Sequence, residues 1–159
     1  MDPTLIGKLS SRLISGDKLA CARLISIVEN ESEGYLEALK IIYPHADKAY
    51  VIGITGPPGS GKSTLTDKLA KSLAEAAHPA GAAHPAGAGE KVGVIAIDPT
   101  SPFTKGAILG DRIRMGGVSD NKNVFIRSMG ARGHLGGLSK ATADALVVMA
   151  AYGCSWIFV

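Results

Sequence analysis

The sequence predicts an α/β fold in which an arm of helices (residues 1–47) precedes a mainly parallel sheet with helices on both faces (residues 48–159). In the arm, apolar residues recur at helical spacing. After it, short continuous apolar runs alternate with helical patterns, which is typical of a parallel sheet with buried strands. A glycine-rich loop follows the first of these runs directly, at the carboxyl end of a strand, where such sheets bind ligands.

The arm contains three helical patterns. Asp17 can cap the second helix and Ser32 the third, and Pro44 ends the third. An arm of this kind packs on its own domain or forms a surface for a partner, and its sequence fits both. The apolar faces expected to be buried are Leu5, Ile6, Leu9, Leu13 and Ile14 in the first helix, Leu19, Ala20, Leu24, Ile27 and Val28 in the second, and Tyr35, Leu36, Leu39 and Ile42 in the third.

The sheet domain is expected to contain four strands and two helices. Leu65, Leu69 and Leu73 give the first of these helices an apolar stripe. Because a compact domain of this class needs more strands, we expect an incomplete sheet and a chain that is the N-terminal portion of a longer protein. The expected strands cover residues 49–55, 91–97, 123–128 and 155–159, and the expected helices cover residues 62–77 and 138–151.

The loop of residues 56–64 has the form G-x-x-x-x-G-K-[ST], which is typical of a site for a nucleoside triphosphate with Mg²⁺. Its glycines let the backbone turn N–H groups onto phosphate oxygens, and the following helix adds its positive end. A glycine-rich turn with an incidental lysine is the alternative, but the apolar strand before the loop and the helix after it favour a nucleotide site. The candidate phosphate-binding residues are Gly56, Pro57, Pro58, Gly59, Ser60, Gly61, Lys62, Ser63 and Thr64.

Two acidic residues are candidates for a magnesium site beside this loop. Asp98 follows the second strand directly, at the edge of the sheet where the loop lies. Asp111 lies in a glycine-bearing segment further on, where many GTPases place the residues that sense the γ-phosphate and Mg²⁺. With the Ser63 hydroxyl, these carboxylates form the candidate metal ligands. Asp98 capping a turn and Asp111 capping a helix remain alternatives.

Three other features carry weaker signals. The hexapeptide at 77–82 recurs unchanged at 83–88, and we expect residues 77–89 to be a flexible insertion whose two histidines are solvated rather than metal-bound. In the glycine-rich segment 127–138, Arg127 or Arg132 is a candidate for contact with phosphate charge. The two cysteines, Cys21 and Cys154, fit buried thiols in a reducing cytoplasm better than a disulfide.

Composition argues against two classes of partner. The formal net charge is +3, and the 17 Lys and Arg residues form no basic run, so a nucleic-acid partner is not expected. No apolar stretch approaches the roughly 20 residues that span a bilayer, so no membrane partner is expected either. The sequence shows no secretion signal, and a cytoplasmic location is therefore the expectation.

The phosphate loop taken together with three other segments resembles the MeaB/ArgK family of P-loop GTPases. The resembling segments are residues 15–30, 51–64, 94–115 and 125–142. The resemblance implies GTP and Mg²⁺ as cofactors, Lys62 and Asp111 as catalytic residues, and Ser63, Asp98 and Asp111 as metal ligands. It further implies an adenosylcobalamin-dependent mutase, such as methylmalonyl-CoA mutase, as partner, and a homodimer at full length.

The family's later acidic motif and its guanine-reading loop have no counterpart in these 159 residues. We therefore expect this stretch of chain to grip phosphates without selecting guanine, and to be inactive in hydrolysis on its own.

Three functions fit these observations. The first is a GTPase that gates cofactor loading or protection of a mutase, in the manner of a metallochaperone. The second is a regulatory module that holds a partner and uses nucleotide only as a switch. The third is a small-molecule kinase that uses ATP.

Overall fold

The expected α/β fold is confirmed in the computed structural model, which describes residues 3–46, 49–76, 90–98, 121–130 and 139–159. The part before the sheet consists of α1 (Pro3–Ile14), α2 (Lys18–Glu29), α3 (Tyr35–Ile42) and a 3₁₀ turn (Tyr43–His45). The α/β part consists of β1 (Tyr50–Ile52), α4 (Lys62–Glu75), β2 (Val92–Asp98), β3 (Val124–Gly130), α5 (Lys140–Ala151) and β4 (Trp156–Phe158).

The caps of the arm helices follow from local sequence in one case and from packing in the other. Asp17 caps α2 as predicted, since its Oδ1 accepts hydrogen bonds from the N–H groups of Leu19 (2.8 Å) and Ala20 (3.1 Å). The prediction that Ser32 caps α3 is wrong, because the N-cap is Gly34, at φ 87°. A Cβ on Gly34 would lie 3.0 Å from the Ile6 side chain, so glycine lets α3 pack closely on α1.

Part of each expected apolar face of the arm is buried and part is not. The predicted apolar faces are wider than the buried ones, because an α-helix on a flat surface buries a stripe rather than half of its circumference. Ile6, Leu9 and Leu13 are buried in α1, Ala20, Leu24, Ile27 and Val28 in α2, and Ile42 in α3, whereas Leu5, Ile14, Leu19 and Leu36 are exposed.

The sheet has the order β1-β4-β2-β3, and every pair of neighbouring described strands is parallel. Ile52, Phe158, Val94 and Ile126 form one row across it. The last strand along the chain, β4, therefore lies between β1 and β2. Because all four strands run in one direction, their carboxyl ends meet at the edge where the phosphate loop begins.

The strand that leads into the phosphate loop is shorter and more exposed than expected. The prediction of a buried strand at 49–55 is wrong in its burial: β1 covers Tyr50–Ile52, and it is the edge strand of the described sheet. Tyr50 and Val51 are exposed, while Ile52 packs partly against the core. An apolar run indicates a strand, but its burial depends on neighbours that the run itself does not reveal.

The two faces of the sheet carry different layers. One face is covered by α1, α2, α3 and α5, whose apolar side chains form one continuous cluster with Ile95, Phe125, Met129 and Ile157 of the strands. The arm therefore packs on its own sheet. The other face is covered by α4 through Thr66, Ala70 and Ala74. The predicted leucine stripe of α4 is buried only in part: Leu65 is 51% exposed and Leu69 is 38% exposed, whereas Leu73 packs against the core on this face.

Candidate nucleotide site

The phosphate loop links the carboxyl end of β1 to the amino end of α4. Val159 fixes the start of this connection, since Ile54 donates to its carbonyl (2.7 Å) and its own N–H donates to Ile52 (2.9 Å). Gly61 is the N-cap of α4 with φ 88°, a left-handed conformation that favours glycine. The loop residues from Gly56 to Gly61 are exposed, so a ligand can reach their backbone.

The space inside the loop admits little more than backbone at its first glycine. A Cβ on Gly56 would lie 3.1 Å from Ser60 Oγ and 3.8 Å from Lys62 Cδ. The loop therefore closes around Gly56, and the Ser60 N–H donates to Pro57 O at 3.3 Å across the turn. Such a curl turns successive N–H groups to one side, which is the arrangement that binds anions.

The first turn of α4 supplies N–H donors that the helix does not use. The hydrogen bond that closes onto the N-cap runs from Leu65 N to Gly61 O (2.9 Å). The N–H groups of Lys62, Ser63 and Thr64 precede it, so they have no carbonyl one turn back within the helix. Together with the positive end of the helix dipole, these donors suit a phosphate group.

The Lys62 side chain bends back over the loop. Its Nζ donates to Gly56 O at 2.7 Å and to Pro57 O at 3.0 Å. An ammonium has three N–H donors, so these two bonds hold its charge at the mouth of the loop and leave one donor over. The structure thus brings the predicted residues Gly56 to Thr64 together in one closed loop at the amino end of α4.

The predicted metal ligands are placed to different degrees. Ser63 lies in the first turn of α4 and is partly exposed, beside the N–H groups of that turn. Asp98 is the last residue of β2, in register with Gly130, at the same carboxyl edge of the sheet. Asp111 lies outside the described residues. The Ser63 hydroxyl and the carboxylate of Asp98 at its strand end are oxygen donors, which suit Mg²⁺. Within the described ranges, no group of three or more His, Cys, Asp or Glu side chains forms a separate metal cluster.

The proposed contact of Arg127 with phosphate charge is wrong. Its Nη2 lies 2.6 Å from Glu29 Oε2 and 3.2 Å from Ser26 Oγ, both on α2 of the arm. Side chains alternate between the faces of a strand, and position 127 falls on the arm face, in step with Phe125 and Met129. Arg132, His78 and His84 lie outside the described residues.

One supporting residue of the loop was not singled out from the sequence. Thr66 is buried on the sheet side of α4, and its Oγ1 donates to Lys62 O at 2.9 Å, which links the first and second turns of the helix. The only sequence signal for it is its position four residues after Lys62, a spacing at which threonine bonds back to a helix carbonyl.

Both cysteines are free and buried, as predicted. Burial raises the pKa of the Cys154 thiol to about 12. Burial also raises the pKa of Cys21, and the neighbouring Cys154 raises it further. Both groups are thus neutral thiols in the core, without the character of a reactive thiolate.

The loop, the helix end and the parallel sheet define the class of the protein: it is a phosphate-loop nucleotide-binding protein of the α/β type. The family can be named as well. Residues 21–159 match the family model described as methylmalonyl-CoA mutase-associated GTPase MeaB, and the chain belongs to that family.

Individual relatives agree with this assignment. A Pyrococcus abyssi protein named as a GTPase is 56% identical over 155 residues, covering 98% of this chain and 44% of its own. GTPase ArgK of Escherichia coli is 32% identical, covering 93% of this chain and 42% of its own. The fused isobutyryl-CoA mutase of Geobacillus kaustophilus is 33% identical over 98% of this chain, which corresponds to 14% of that longer protein.

A solved structure titled LAO/AO transport system kinase shares the fold, with a TM-score of 0.67 at 21% identity. The match covers all of this chain and 43% of that one. The chain thus spans less than half the length of the first relatives it matches. Of the helices that the structure describes, none is long and apolar enough to cross a membrane.

Proposed function

We propose that this chain is the phosphate-binding part of a GTPase that hydrolyses GTP to GDP and phosphate and acts together with an adenosylcobalamin-dependent mutase. The observation that carries the proposal is the closed loop at the amino end of α4, with Lys62 Nζ held over it by two carbonyls of the loop. GTP rather than another nucleotide is proposed from membership of the MeaB family.

The residues of this chain act by position and charge. The N–H groups of the loop and of the first turn of α4 hold the phosphate oxygens, and the Lys62 ammonium offsets the charge that develops on them during transfer. Ser63, Asp98 and Asp111 would hold Mg²⁺, which when bound spreads the charge of the β- and γ-phosphates. We propose Asp111 as a further catalytic residue in the segment that responds to the γ-phosphate.

The mutase partner is proposed from two findings. The family description refers to a mutase-associated GTPase, and the Geobacillus relative has an isobutyryl-CoA mutase in its name. In this proposal GTP hydrolysis gates loading or protection of the mutase cofactor, as a chaperone does. We further propose a cytoplasmic location and a homodimer for the full-length protein, without a nucleic-acid or membrane partner.

Calorimetric titration of GTP with Mg²⁺ tests the site itself. Lys62→Ala should weaken binding by about one to two decades, because a charge-assisted phosphate contact contributes roughly 1.5–3 kcal/mol. Lys68→Ala is the matched control: it removes the same charge from an exposed position on the same helix and should change affinity by less than about twofold. A folded Lys62→Ala variant that binds GTP as the unmodified chain does would contradict the assignment.

The finer proposals have their own measurements. Asp98→Asn should reduce the gain in GTP affinity that Mg²⁺ brings, while leaving Mg²⁺-free binding nearly unchanged. In the full-length protein, hydrolysis that a cobalamin mutase stimulates would support the partner, and equal turnover of ATP and GTP would count against guanine selection.

A further inference from the structure

Besides the apolar cluster, the arm contacts the sheet through a hydrogen bond from Lys18 Nζ to Val124 O (3.2 Å) and through one partly buried ion pair. Arg127, in the middle of β3, pairs with Glu29 at the end of α2 at 2.6 Å, across 98 residues of chain. The exposed fractions of the two side chains are 23% and 14%, so the pair is largely shielded from solvent. A pair of this kind is screened little by salt, and its partners are costly to separate.

The pair is one member of a small network. Arg127 Nη2 also donates to Ser26 Oγ at 3.2 Å, and Ser26 Oγ donates in turn to Ala22 O at 3.1 Å, one turn back along α2. The Arg127 Nε is buried and has no hydrogen-bond partner. Glu29 therefore provides the single negative charge in a network where one donor is already unsatisfied, and loss of Glu29 leaves the guanidinium without compensation.

The network lies on the path from the arm to the candidate magnesium residue. Arg127 is in register with Ile95 of β2, and three residues further on Gly130 is in register with Asp98. A shift of β3 along β2 would therefore change what faces Asp98. Phe125 and Met129, on either side of Arg127, pack in the same buried cluster as the arm helices, so this part of β3 and the arm share one core.

A second contact joins the arm to the helix that follows β3, and it differs in burial. Lys140, the first residue of α5, lies 3.5 Å from Glu31 Oε1, and its Nζ donates to Tyr35 OH at 3.2 Å. The Lys140 and Glu31 side chains are both more than half exposed. Exposed pairs contribute little. Of these two ion pairs, the one between Glu29 and Arg127 is therefore expected to be the stronger link.

We propose that Glu29 is a positioning residue for the nucleotide site, acting through Arg127 to hold β3, and with it the carboxyl edge at Asp98, in the arrangement that binds GTP with Mg²⁺. The proposal rests on the proposed function. It makes the arm part of the nucleotide response, because a contact that favours GTP binding must itself be favoured by GTP.

The test compares GTP affinity, with Mg²⁺ present, among matched variants. Glu29→Gln keeps the shape of the side chain and should weaken GTP binding about tenfold, within the usual range of coupling between sites. Glu31→Gln makes the same chemical change two residues away at the exposed pair and should weaken it by less than about twofold. Ile25→Val trims a buried residue of the same helix, without touching the ion pair, and should leave affinity unchanged although it lowers stability.

Two further measurements separate positioning from general damage. The double variant with Glu29→Gln and Arg127→Gln should bind GTP no more weakly than Glu29→Gln alone, because the two residues act through one contact. In the unmodified chain, GTP should slow amide hydrogen exchange at residues 26–31 and leave exchange near Asp17 unchanged.

The outcomes are distinct for the two proposals. If Lys62→Ala weakens binding as expected while Glu29→Gln and Ile25→Val have equal effects, the nucleotide site stands and the positioning role of Glu29 is overturned. Additive losses in the double variant, or hydrogen exchange in the arm that does not respond to GTP, would also overturn it. An unmodified chain that binds no GTP would remove both proposals.

Discussion

The two faces of the sheet are covered by different means. On the arm face, large side chains such as Leu24, Ile25 and Met149 are fully buried in one continuous cluster. On the opposite face, α4 approaches the sheet mainly through Ala70 and Ala74, and its larger side chains Leu65 and Leu69 are exposed. The arm face thus contains most of the buried apolar volume, whereas the opposite face brings a helix end close to the strands.

This difference separates stability from ligand binding within one small domain. Apolar burial stabilises in proportion to area, so the arm face should dominate the free energy of unfolding. The small buried residues of α4, Ala70 and Ala74, contribute less to stability. They let the helix lie close to the strands, which fixes the direction of its amino end at the candidate anion site. The exposed Leu65 and Leu69 then mark the side of α4 that the described chain leaves uncovered.

The largest expected effect compares one leucine from each face. Leu24→Ala removes a fully buried side chain from the arm face and should lower the free energy of unfolding by about 2–5 kcal/mol. Leu65→Ala, at a side chain that is 51% exposed, should lower it by less than about 1 kcal/mol. Urea denaturation of both variants measures this. Equal losses would show that the leucine stripe of α4 is buried in solution and that the contrast between the faces is wrong.

The next effect concerns the buried thiols of the arm face at alkaline pH. Burial raises the pKa of both thiols, that of Cys154 to about 12, from an ordinary value of 9.0. A raised pKa means that the unfolded chain releases these protons first, so the thiols' contribution is present below pH 9 and is lost as the pH rises toward 12. We expect the unfolding free energy to fall by about 1–3 kcal/mol between pH 8 and pH 10.

Other groups also titrate in that range, so the control is the variant with Cys21→Ala and Cys154→Ala. Its stability should depend less steeply on pH than that of the unmodified chain. An equally steep pH dependence of stability in both proteins would show that burial does not raise the pKa of the thiols.

A glycine pair tests how tightly α5 packs against the sheet. Gly93→Ala would bring a Cβ within 2.8 Å of Met149 Sδ in the fully packed arm face, and we expect a loss of about 1–2 kcal/mol. Gly53→Ala, where the added Cβ meets nothing within 4 Å, is the matched control and should change stability by less than about 0.5 kcal/mol. If Gly93→Ala left the melting temperature unchanged, the packing of the arm face would accommodate the added methyl group more readily than its burial indicates.

The smallest effect lies at the surface of the arm. The Arg12 guanidinium donates to Asp17 and holds the pKa of that carboxyl below its usual value. The stability that the charged Asp17 carboxylate contributes is therefore present above the pKa of the unfolded chain, and it is lost as the pH falls through the lower pKa of the folded chain. Asp17→Asn keeps a capping side chain and should lower the melting temperature by less than about 4 °C at pH 7, with no difference at pH 2. A loss that persisted at pH 2 would assign the effect to capping instead.

Sequence reasoning worked where structure depends on neighbours along the chain. The phosphate loop, the Asp17 cap and the order of helices and strands follow from local spacing, and the structure has them. It failed where the burial or the pairing of a residue depends on elements that are distant in sequence. The exposure of Tyr50, the outward stripe of Leu65 and the pairing of Arg127 with Glu29 depend on which elements become neighbours, and no pattern within a segment specifies that. Glu29 in particular gave no signal, because a charged residue at the end of a helix usually lies in solvent.

The place of β4 has a consequence for how the molecule assembles. Because β4 lies between β1 and β2, the strand before the phosphate loop joins the described sheet through residues 155–159, about a hundred residues later along the chain. Pairing over such a distance closes a long loop and is slow. During synthesis, therefore, the arm helices can form early, but the phosphate loop has no fixed base until β4 has left the ribosome. Until that moment the facing edges of β1 and β2 lack the strand that pairs with both, and such unpaired edges are where misassembly begins.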